Sequence, residues 1–201
     1  MTPAERRRLV VVAGHRREQD VVVSHLADDD AGVREAVLGA LARMGALTEE
    51  QVTAAFADPA PVVRRRAATL AATRPDVGLL PLLDDTDPTV VEVAAWACGE
   101  QERVDDATLS RLIALATEAD DALVRESAAA ALGAIGDRRG LPAILTAVHD
   151  KPNVRRRAVL ALAPFDGPEV DAAIEAALTD RDWQVRQAAE DLRRATGELD
   201  L

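Results

Sequence analysis

The sequence predicts an all-α solenoid of about six units, each made of two short helices. Apolar residues recur at helical spacing along the chain, and no segment alternates apolar and polar residues over the length of a strand. Asp, Pro and Gly separate the predicted helices, as expected of short helices that end at breaking residues. Of the 201 residues, only Phe56, Trp96, Phe165 and Trp183 are aromatic, so Ala, Val and Leu form the predicted core. That composition suits closely packed helices better than a β-sandwich.

The segment 120–136 shows the helical pattern most clearly. Val124, Ala128 and Leu132 recur at four-residue intervals on one apolar stripe. Small residues on the stripe let another helix approach closely, and two Asp residues precede the helix, where its dipole favours negative charge. A helix of this kind cannot bury its stripe alone, so it requires similar neighbours.

Capping residues and helix breakers set the limits of the other predicted helices. Thr2 and Thr48 each precede a Glu or Gln by three residues, which predicts a capping box, and Gly45 ends a helix. The predicted helices in chain order are 3–16, 18–27, 32–44, 48–57, 62–72, 75–83, 89–98, 105–118, 122–136, 141–148, 153–163, 168–178 and 183–195.

The second helices of the units align on one repeated valine. The aligned valines are Val33, Val63, Val90, Val124, Val154 and Val185, spaced by 27 to 34 residues. Five of them precede an arginine, namely Arg34, Arg64, Arg125, Arg155 and Arg186, whereas Val91 stands in the third copy. An Asp lies five or six residues before this position each time, at Asp29, Asp58, Asp85, Asp120, Asp150 and Asp180. A period of about 30 residues is typical of a solenoid.

These residues carry a family resemblance. Asp120, Val124-Arg125, Ala128 and Leu132-Gly133, at these offsets, resemble the short HEAT-like repeat named after the phycobilisome lyases. The resemblance covers residues 18–197 and implies a right-handed α-α superhelix of the armadillo type. Proteins of that family serve as scaffolds, adaptors and enzyme subunits, so the resemblance does not specify an activity. The chain departs from the pattern at Val91 and at the end of the sixth copy, where arginines replace small residues.

The alignment divides the chain into one repeat domain, 1–201. It predicts an N-terminal capping helix at 1–17, followed by repeats at 18–45, 46–74, 75–101, 105–137, 138–165 and 167–197.

The periodic Asp and Arg residues are predicted to form a structural network. An Arg one turn into a second helix can bond a carboxylate and loop carbonyls of its own or the adjacent unit. A catalytic residue is seldom needed in every copy, which favours a structural role. The predicted network comprises Asp29, Arg34, Asp58, Arg64, Asp120, Arg125, Asp150, Arg155, Asp180 and Arg186.

The sequence contains no recognisable catalytic, metal or cofactor motif. His15, His25 and His149 form no pair at metal-binding spacing, and none is followed by Glu, unlike the His-Glu dipeptides that hold two irons in HEAT-repeat hydroxylases. Cys98 occupies a leucine position of the repeat, which predicts a core residue. We therefore expect a protein that is not an enzyme and binds no cofactor.

Positions that vary between copies predict a binding surface. In solenoids of this type the second helices line the concave face, and Trp96 falls near its middle. The predicted partner-binding residues are Arg65, Arg66, Trp96, Glu126, Arg156 and Arg157. A Trp flanked by arginines can anchor a peptide with acidic or aromatic side chains. The alternative is that Trp96 fills a gap left by the surrounding alanines.

Charge and composition narrow the class of function. A net charge of −11 argues against nucleic-acid binding, and no segment has the length of a membrane span. All 24 basic residues except Lys151 are Arg, which suggests a GC-rich bacterial genome. The sequence predicts a cytoplasmic, monomeric scaffold that binds a protein or peptide. The alternatives are a tetrapyrrole-handling subunit resembling the bilin lyases, with propionates on the arginines, and, less favoured by charge, a HEAT-like DNA glycosylase.

Overall fold

A computed structural model describes residues 1–195, which form thirteen α-helices and one 3-10 turn and include no strand. The chain folds as two compact units, the first from Met1 to Ala94 and the second beginning at Ala95. The division into a single domain with six repeats stays a prediction. The last two residues of the predicted sixth repeat, 196 and 197, lie outside the described residues.

The first unit contains six complete helices and the start of a seventh. They are α1 (Pro3–Arg16), α2 (Gln19–Val23), α3 (Ala31–Met44), α4 (Glu49–Ala55), α5 (Pro61–Ala71), α6 (Leu80–Leu83) and α7 (Pro88–Glu100), whose sequence contains the boundary between the units. Helix α3 packs against α1 on one side and α5 on the other, while the short helices α2 and α4 pack against α3 and α5 respectively. This is the alternation of a repeat stack, in which α1 takes the place of a preceding second helix.

The second unit repeats the arrangement. Its helices are α8 (Asp106–Glu118), α9 (Ala122–Ile135), α10 (Leu141–Ala147), α11 (Pro152–Ala161), α12 (Pro168–Leu178) and α13 (Trp183–Ala195), with the 3-10 turn Arg138–Gly140 before α10. Helix α11 packs between α9 and α13, while α8 packs against α9 and α12 against α13. The six aligned valines of the two units are all at most 3% exposed, as the predicted alignment requires of core positions.

Local capping follows the sequence. The side chains of Thr2 and Thr48 each accept from the backbone N–H three residues later, and Glu5 and Gln51 bond back to the cap, so both predicted capping boxes are present. Gly45 ends α3 with a φ of 70°, a left-handed conformation that glycine adopts without steric cost.

Two predicted helices are too long. The helix predicted over 18–27 ends at Val23, because the Ser24 hydroxyl donates to the Val21 carbonyl and the following backbone N–H groups bond carbonyls three residues back. The helix predicted over 75–83 begins only at Leu80. Pro81 cannot donate a backbone hydrogen bond, so it is tolerated only in the first turn of a helix.

An arginine–aspartate ladder, defined here as the repeated Arg–Asp pairs between successive helix pairs, runs through each unit. Arg34 donates to both Asp58 carboxylate oxygens at 2.7 Å and to the Asp28 carbonyl at 2.8 Å. Arg64, Arg125 and Arg155 likewise donate to a carbonyl of their own loop and to the carboxylate of the next one, whereas the carbonyl partner of Arg6 is Met1. The other carboxylate pairs of the ladder are Arg6–Asp28, Arg64–Asp85, Arg125–Asp150 and Arg155–Asp180.

Three members of the predicted network have a different role in the ladder, and one ladder carboxylate is missing from that network. The carboxylate in the ladder register of the first copy is Asp28, whereas the Asp29 side chain is 88% exposed, although it also contacts Arg6. Asp120 contributes its backbone carbonyl, which accepts from Arg125 at 3.1 Å. Arg186 binds the Asp180 carbonyl at 2.7 Å. Asp85, which the alignment identified but the predicted network omitted, is a ladder carboxylate.

Glycine lets neighbouring helices approach closely in both units. A Cβ on Gly133 would lie 2.6 Å from the Cα and Cβ of Ala161, and one on Gly14 would lie 2.7 Å from the Cβ of Ala40. These pairs lie where α9 meets α11 and where α1 meets α3. The helix spacing at both places therefore depends on an absent side chain.

We expect Gly133→Ala to lower the free energy of unfolding by about 1–2 kcal/mol, because overpacking against Ala161 outweighs the roughly 1 kcal/mol that Ala gains in helix propensity. Urea unfolding followed by circular dichroism measures this. The control is Gly78→Ala, where an added Cβ meets nothing within 4 Å. Equal midpoints for the two variants would contradict the close approach.

The ladder also predicts acid sensitivity. The Arg125 guanidinium lowers the pKa of Asp150, and the Arg155 guanidinium lowers that of Asp180. A carboxyl whose pKa is lower in the folded state stabilises the fold above its unfolded pKa of about 3.9, and this contribution disappears as the pH falls through the folded value. We therefore expect the free energy of unfolding to decrease as the pH is lowered from about 4.

The test compares Asp150→Asn with Asp166→Asn, whose side chain is 96% exposed. We expect Asp150→Asn to cost about 1–3 kcal/mol at pH 7, because it weakens a mostly buried ion pair, and to lose less stability than the wild type between pH 7 and 3. Asp166→Asn should follow the wild type. Identical pH profiles for all three proteins would exclude the ladder as the source of the acid sensitivity.

Candidate functional site

Trp96 lies on the surface of α7. Its side chain is 43% exposed, whereas its helix neighbours Ala95, Ala97 and Cys98 are completely buried. The helix therefore buries its small residues and leaves its one large aromatic side chain in contact with solvent. Such exposure differs from that of a residue that fills a gap in the core.

Trp96 borders a groove of about 330 Å³ in the second unit, called here the Trp96 groove. It is lined by Trp96, Gly99, Glu100, Glu126, Ser127, Ala130, Ala131, Ala134 and Arg157. A Cβ on Gly99 would lie 3.0 Å from the Cα of Ala131, so the end of α7 lies close to α9. Small residues thus form the floor of the groove, while the tryptophan and the charged side chains form its walls.

The charged groups of the groove are partly paired. Asn153 Nδ2 donates to Glu126 Oε2 at 2.7 Å, and Arg157 Nε lies 3.7 Å from Glu126 Oε1. Glu126 is therefore held by two groups of the following helix pair. The charge of Arg157, in turn, is partly neutralised by a carboxylate of the same protein.

The first unit contains an equivalent pair. Arg66 Nε lies 3.5 Å from Glu35 Oε1, and Arg7 Nη2 lies 3.7 Å from Glu35 Oε2. In each unit the Glu follows a ladder Arg directly, and the paired Arg stands 31 positions later in the sequence. This second set of ion pairs was not predicted from the sequence, although the equal separation of Glu35–Arg66 and Glu126–Arg157 indicates it.

Five of the six predicted partner-binding residues are thus found in two places. Trp96, Glu126 and Arg157 come together at the Trp96 groove, whereas Arg156 does not line it. Arg65 and Arg66 lie in the first unit, at a cavity of about 210 Å³ that Glu35, Val62, Thr69 and Val93 complete. A Cβ on Gly39 would lie 2.6 Å from Arg66 Nη2, so the absent side chain leaves room for this guanidinium.

Two other cavities adjoin the ladder. One of about 270 Å³ lies beside Arg34 and Asp58, and one of about 390 Å³ lies beside Arg155 and Asp180 and is also lined by His149. The ladder arginines at these cavities are committed to carbonyl and carboxylate partners. We therefore interpret both cavities as space left between packed helix pairs and not as ligand sites.

Groups suited to catalysis or metal binding are few. Cys98 is completely buried, and burial raises the pKa of its thiol to about 12, so the reactive thiolate is disfavoured. His25 Nδ1 bonds the Val21 carbonyl of its own turn at 2.9 Å. Within residues 1–195, no group of three or more His, Cys, Asp and Glu side chains is placed to hold a metal ion.

The helices of the described region are also too short or too polar to cross a lipid bilayer.

Comparison with known proteins identifies the repeat. The family model of HEAT repeats matches residues 49–133 and, in a second overlapping alignment, residues 109–193. A model described as a HEAT repeat associated with sister chromatid cohesion matches residues 19–41. A search of the curated proteins finds no match.

Solved structures resemble the chain over most of its length. An engineered protein from the Northeast Structural Genomics Consortium is 22% identical with a TM-score of 0.63, covering 90% of this chain and 99% of its own. A designed armadillo repeat protein is 19% identical with a TM-score of 0.60, covering 87% and 98%. Human deoxyhypusine hydroxylase, in complex with glycerol, is 20% identical with a TM-score of 0.51, covering 96% and 80%. At these identities the likeness shows the fold alone.

The environment of Cys98 gives a direct test of the site region. We expect the native protein at pH 8 to react with a thiol reagent such as Ellman's reagent only slowly, because the thiol is buried and its pKa is about 12. In 6–8 M urea, about one thiol per chain should react within the mixing time, as expected for an exposed cysteine with a pKa of about 8.5. Rapid stoichiometric reaction of the folded protein would contradict the described packing of α7.

Proposed function

Because the chain belongs to the HEAT repeat family, we propose that it is a non-catalytic scaffold that binds a protein or peptide partner at the Trp96 groove. The observation that carries the proposal is the exposed Trp96 side chain beside a groove whose floor consists of small residues. Repeat stacks present extended surfaces of this kind, which repeat proteins use for binding.

Tryptophan is the side chain that suits an anchoring role best. Interface residues that dominate binding energy are enriched in Trp, Tyr and Arg and lie in pockets that exclude water on binding. Trp96 is 43% exposed here, so a partner can remove a large apolar surface from water. Each buried Å² of apolar area contributes about 25 cal/mol, which makes a single covered indole a strong anchor.

The groove also stands on rigid elements. Trp96 belongs to α7, and the opposite wall belongs to α9 and α11, which pack against each other. A surface built on packed helices loses little conformational entropy when a partner binds. The Glu126 pairs with Asn153 and Arg157 fix the polar side of the groove in the same way.

The tetrapyrrole alternative receives less support from the same groups. Bilin propionates require arginines that are available for pairing, and two of the four predicted arginines, Arg66 and Arg157, already face a glutamate of the protein. Displacing that glutamate costs part of the binding energy of a propionate.

The proposal is tested by affinity capture from a lysate of the source cell, comparing the wild type with Trp96→Ala. We expect Trp96→Ala to reduce capture of the partner about tenfold or more, as is usual when a central aromatic anchor is truncated. The matched control is Trp183→Ala, since Trp183 is 65% exposed and does not line the groove. Both variants must keep the wild-type circular dichroism spectrum.

Two outcomes would count against the proposal. Equal capture by the wild type and Trp96→Ala would place the binding surface elsewhere. A change in visible absorbance on titration with a tetrapyrrole, lost in Trp96→Ala, would instead assign the groove to a cofactor.

A further inference from the structure

We propose that the partner segment at the Trp96 groove is basic, and that one of its Arg or Lys side chains lies over the Trp96 indole and reaches Glu100. This inference rests on the proposed function and specifies the chemistry of the partner. It departs from the acidic or aromatic partner that the sequence predicts, because the structure changes which charges of the groove are available.

Glu100 is the available charge. It is exposed, it lines the Trp96 groove, and its carboxylate has no hydrogen bond or ion pair with any other residue in the described part of the chain. It follows Trp96 by four residues on α7, and side chains with this spacing lie on the same face of a helix about 5–6 Å apart. An indole and a carboxylate therefore border one end of the groove together.

The other charges of the groove nearly cancel. Glu126 lies near Arg157 and accepts a hydrogen bond from Asn153, so this pair contributes little net charge to a ligand. The sum over Glu100, Glu126 and Arg157 is one negative charge. A cationic side chain is consequently favoured at the groove, and an acidic one is repelled by Glu100.

The indole adds specificity for a cation. A guanidinium or ammonium group over the face of a Trp ring is attracted by the ring quadrupole, and Arg also stacks on it through its planar group. A long basic side chain can cover the ring with its methylene groups while its charged end reaches a carboxylate one helical turn away. Trp96 provides the ring, and Glu100 provides the carboxylate one turn further along α7.

The net charge of the chain points to the same class of partner. At −11, the protein attracts basic segments at long range and repels a second copy of itself. A second copy is therefore a poor occupant of a groove with a negative charge of its own. A basic segment of another protein is complementary both to the negative charge of the groove and to the negative net charge of the chain.

The probe is a labelled peptide of eight residues in which Arg alternates with Ser, titrated with the protein and followed by fluorescence anisotropy. Comparison peptides carry citrulline, a neutral analogue of Arg, or Glu at the same positions. We expect the Arg peptide to bind more tightly than the citrulline peptide, the Glu peptide to bind least, and added salt to weaken binding of the Arg peptide.

Matched variants separate this site from general attraction to an acidic protein. Glu100→Gln and Glu190→Gln have the same net charge, but only Glu100 lines the groove, while Glu190 is an exposed residue of α13. We expect Glu100→Gln to weaken binding of the Arg peptide about threefold to fivefold and Trp96→Ala about tenfold. Glu190→Gln and Trp183→Ala should leave binding unchanged.

Each contrary result has a definite meaning. Equal loss in Glu100→Gln and Glu190→Gln, tighter binding of the Glu or citrulline peptide, or absence of binding by the Arg peptide at millimolar concentration would each overturn the inference. If capture from the lysate still depends on Trp96, the proposed function stands with a partner of different chemistry. If capture does not depend on Trp96, the proposed function fails as well.

Discussion

The Arg–Asp ladder is the interaction on which the arrangement of helix pairs depends in each unit. Short helices leave many unsatisfied carbonyl groups at their ends, and a guanidinium offers five donors in a fixed plane. Arg34, for example, bonds the Asp28 carbonyl of its own loop and both oxygens of Asp58 in the next. One side chain thereby links two successive loops by hydrogen bonds. Because these pairs are mostly buried, the loss of either partner leaves a buried charge without compensation, which is strongly destabilising.

The ladder also explains why most arginines of the second helices are not available to ligands. The ladder arginines bind aspartates, and the arginines two positions later, Arg66 and Arg157, bind the glutamates that follow the preceding ladder arginines. An acidic protein thus uses much of its positive charge internally. The charge that remains unpaired at the Trp96 groove is that of the Glu100 carboxylate. It favours the basic partner that we propose over the acidic partner that the arginines of the sequence predict.

The all-α class, the capping boxes and the core valines follow from the sequence, because each depends on residues within one helix or its immediate neighbours. The lengths of α2 and α6 do not follow from the apolar pattern. The Ser24 hydroxyl bonds a carbonyl at the end of α2, and Pro81 must lie in the first turn of α6. The choice of Asp28 over Asp29 as the ladder carboxylate is set by side-chain direction in three dimensions. The Glu126–Arg157 pair needs two adjacent repeats in register, which a single helix pattern cannot show.

Positions that repeat and positions that do not repeat have separate uses in this chain. Five positions after the residue aligned with the ladder Arg, the third copy has Trp96, and the other copies have Gly39, Thr69, Ala130, Leu160 and Asp191. That copy also has Val91, a buried apolar residue, where the others have the ladder Arg. A large exposed aromatic side chain costs solvation free energy that repeat packing does not recover, because Trp96 remains 43% exposed. A requirement of the fold would be met in every copy, whereas a tryptophan at this position occurs in one copy, which supports the binding role proposed for Trp96 and Glu100.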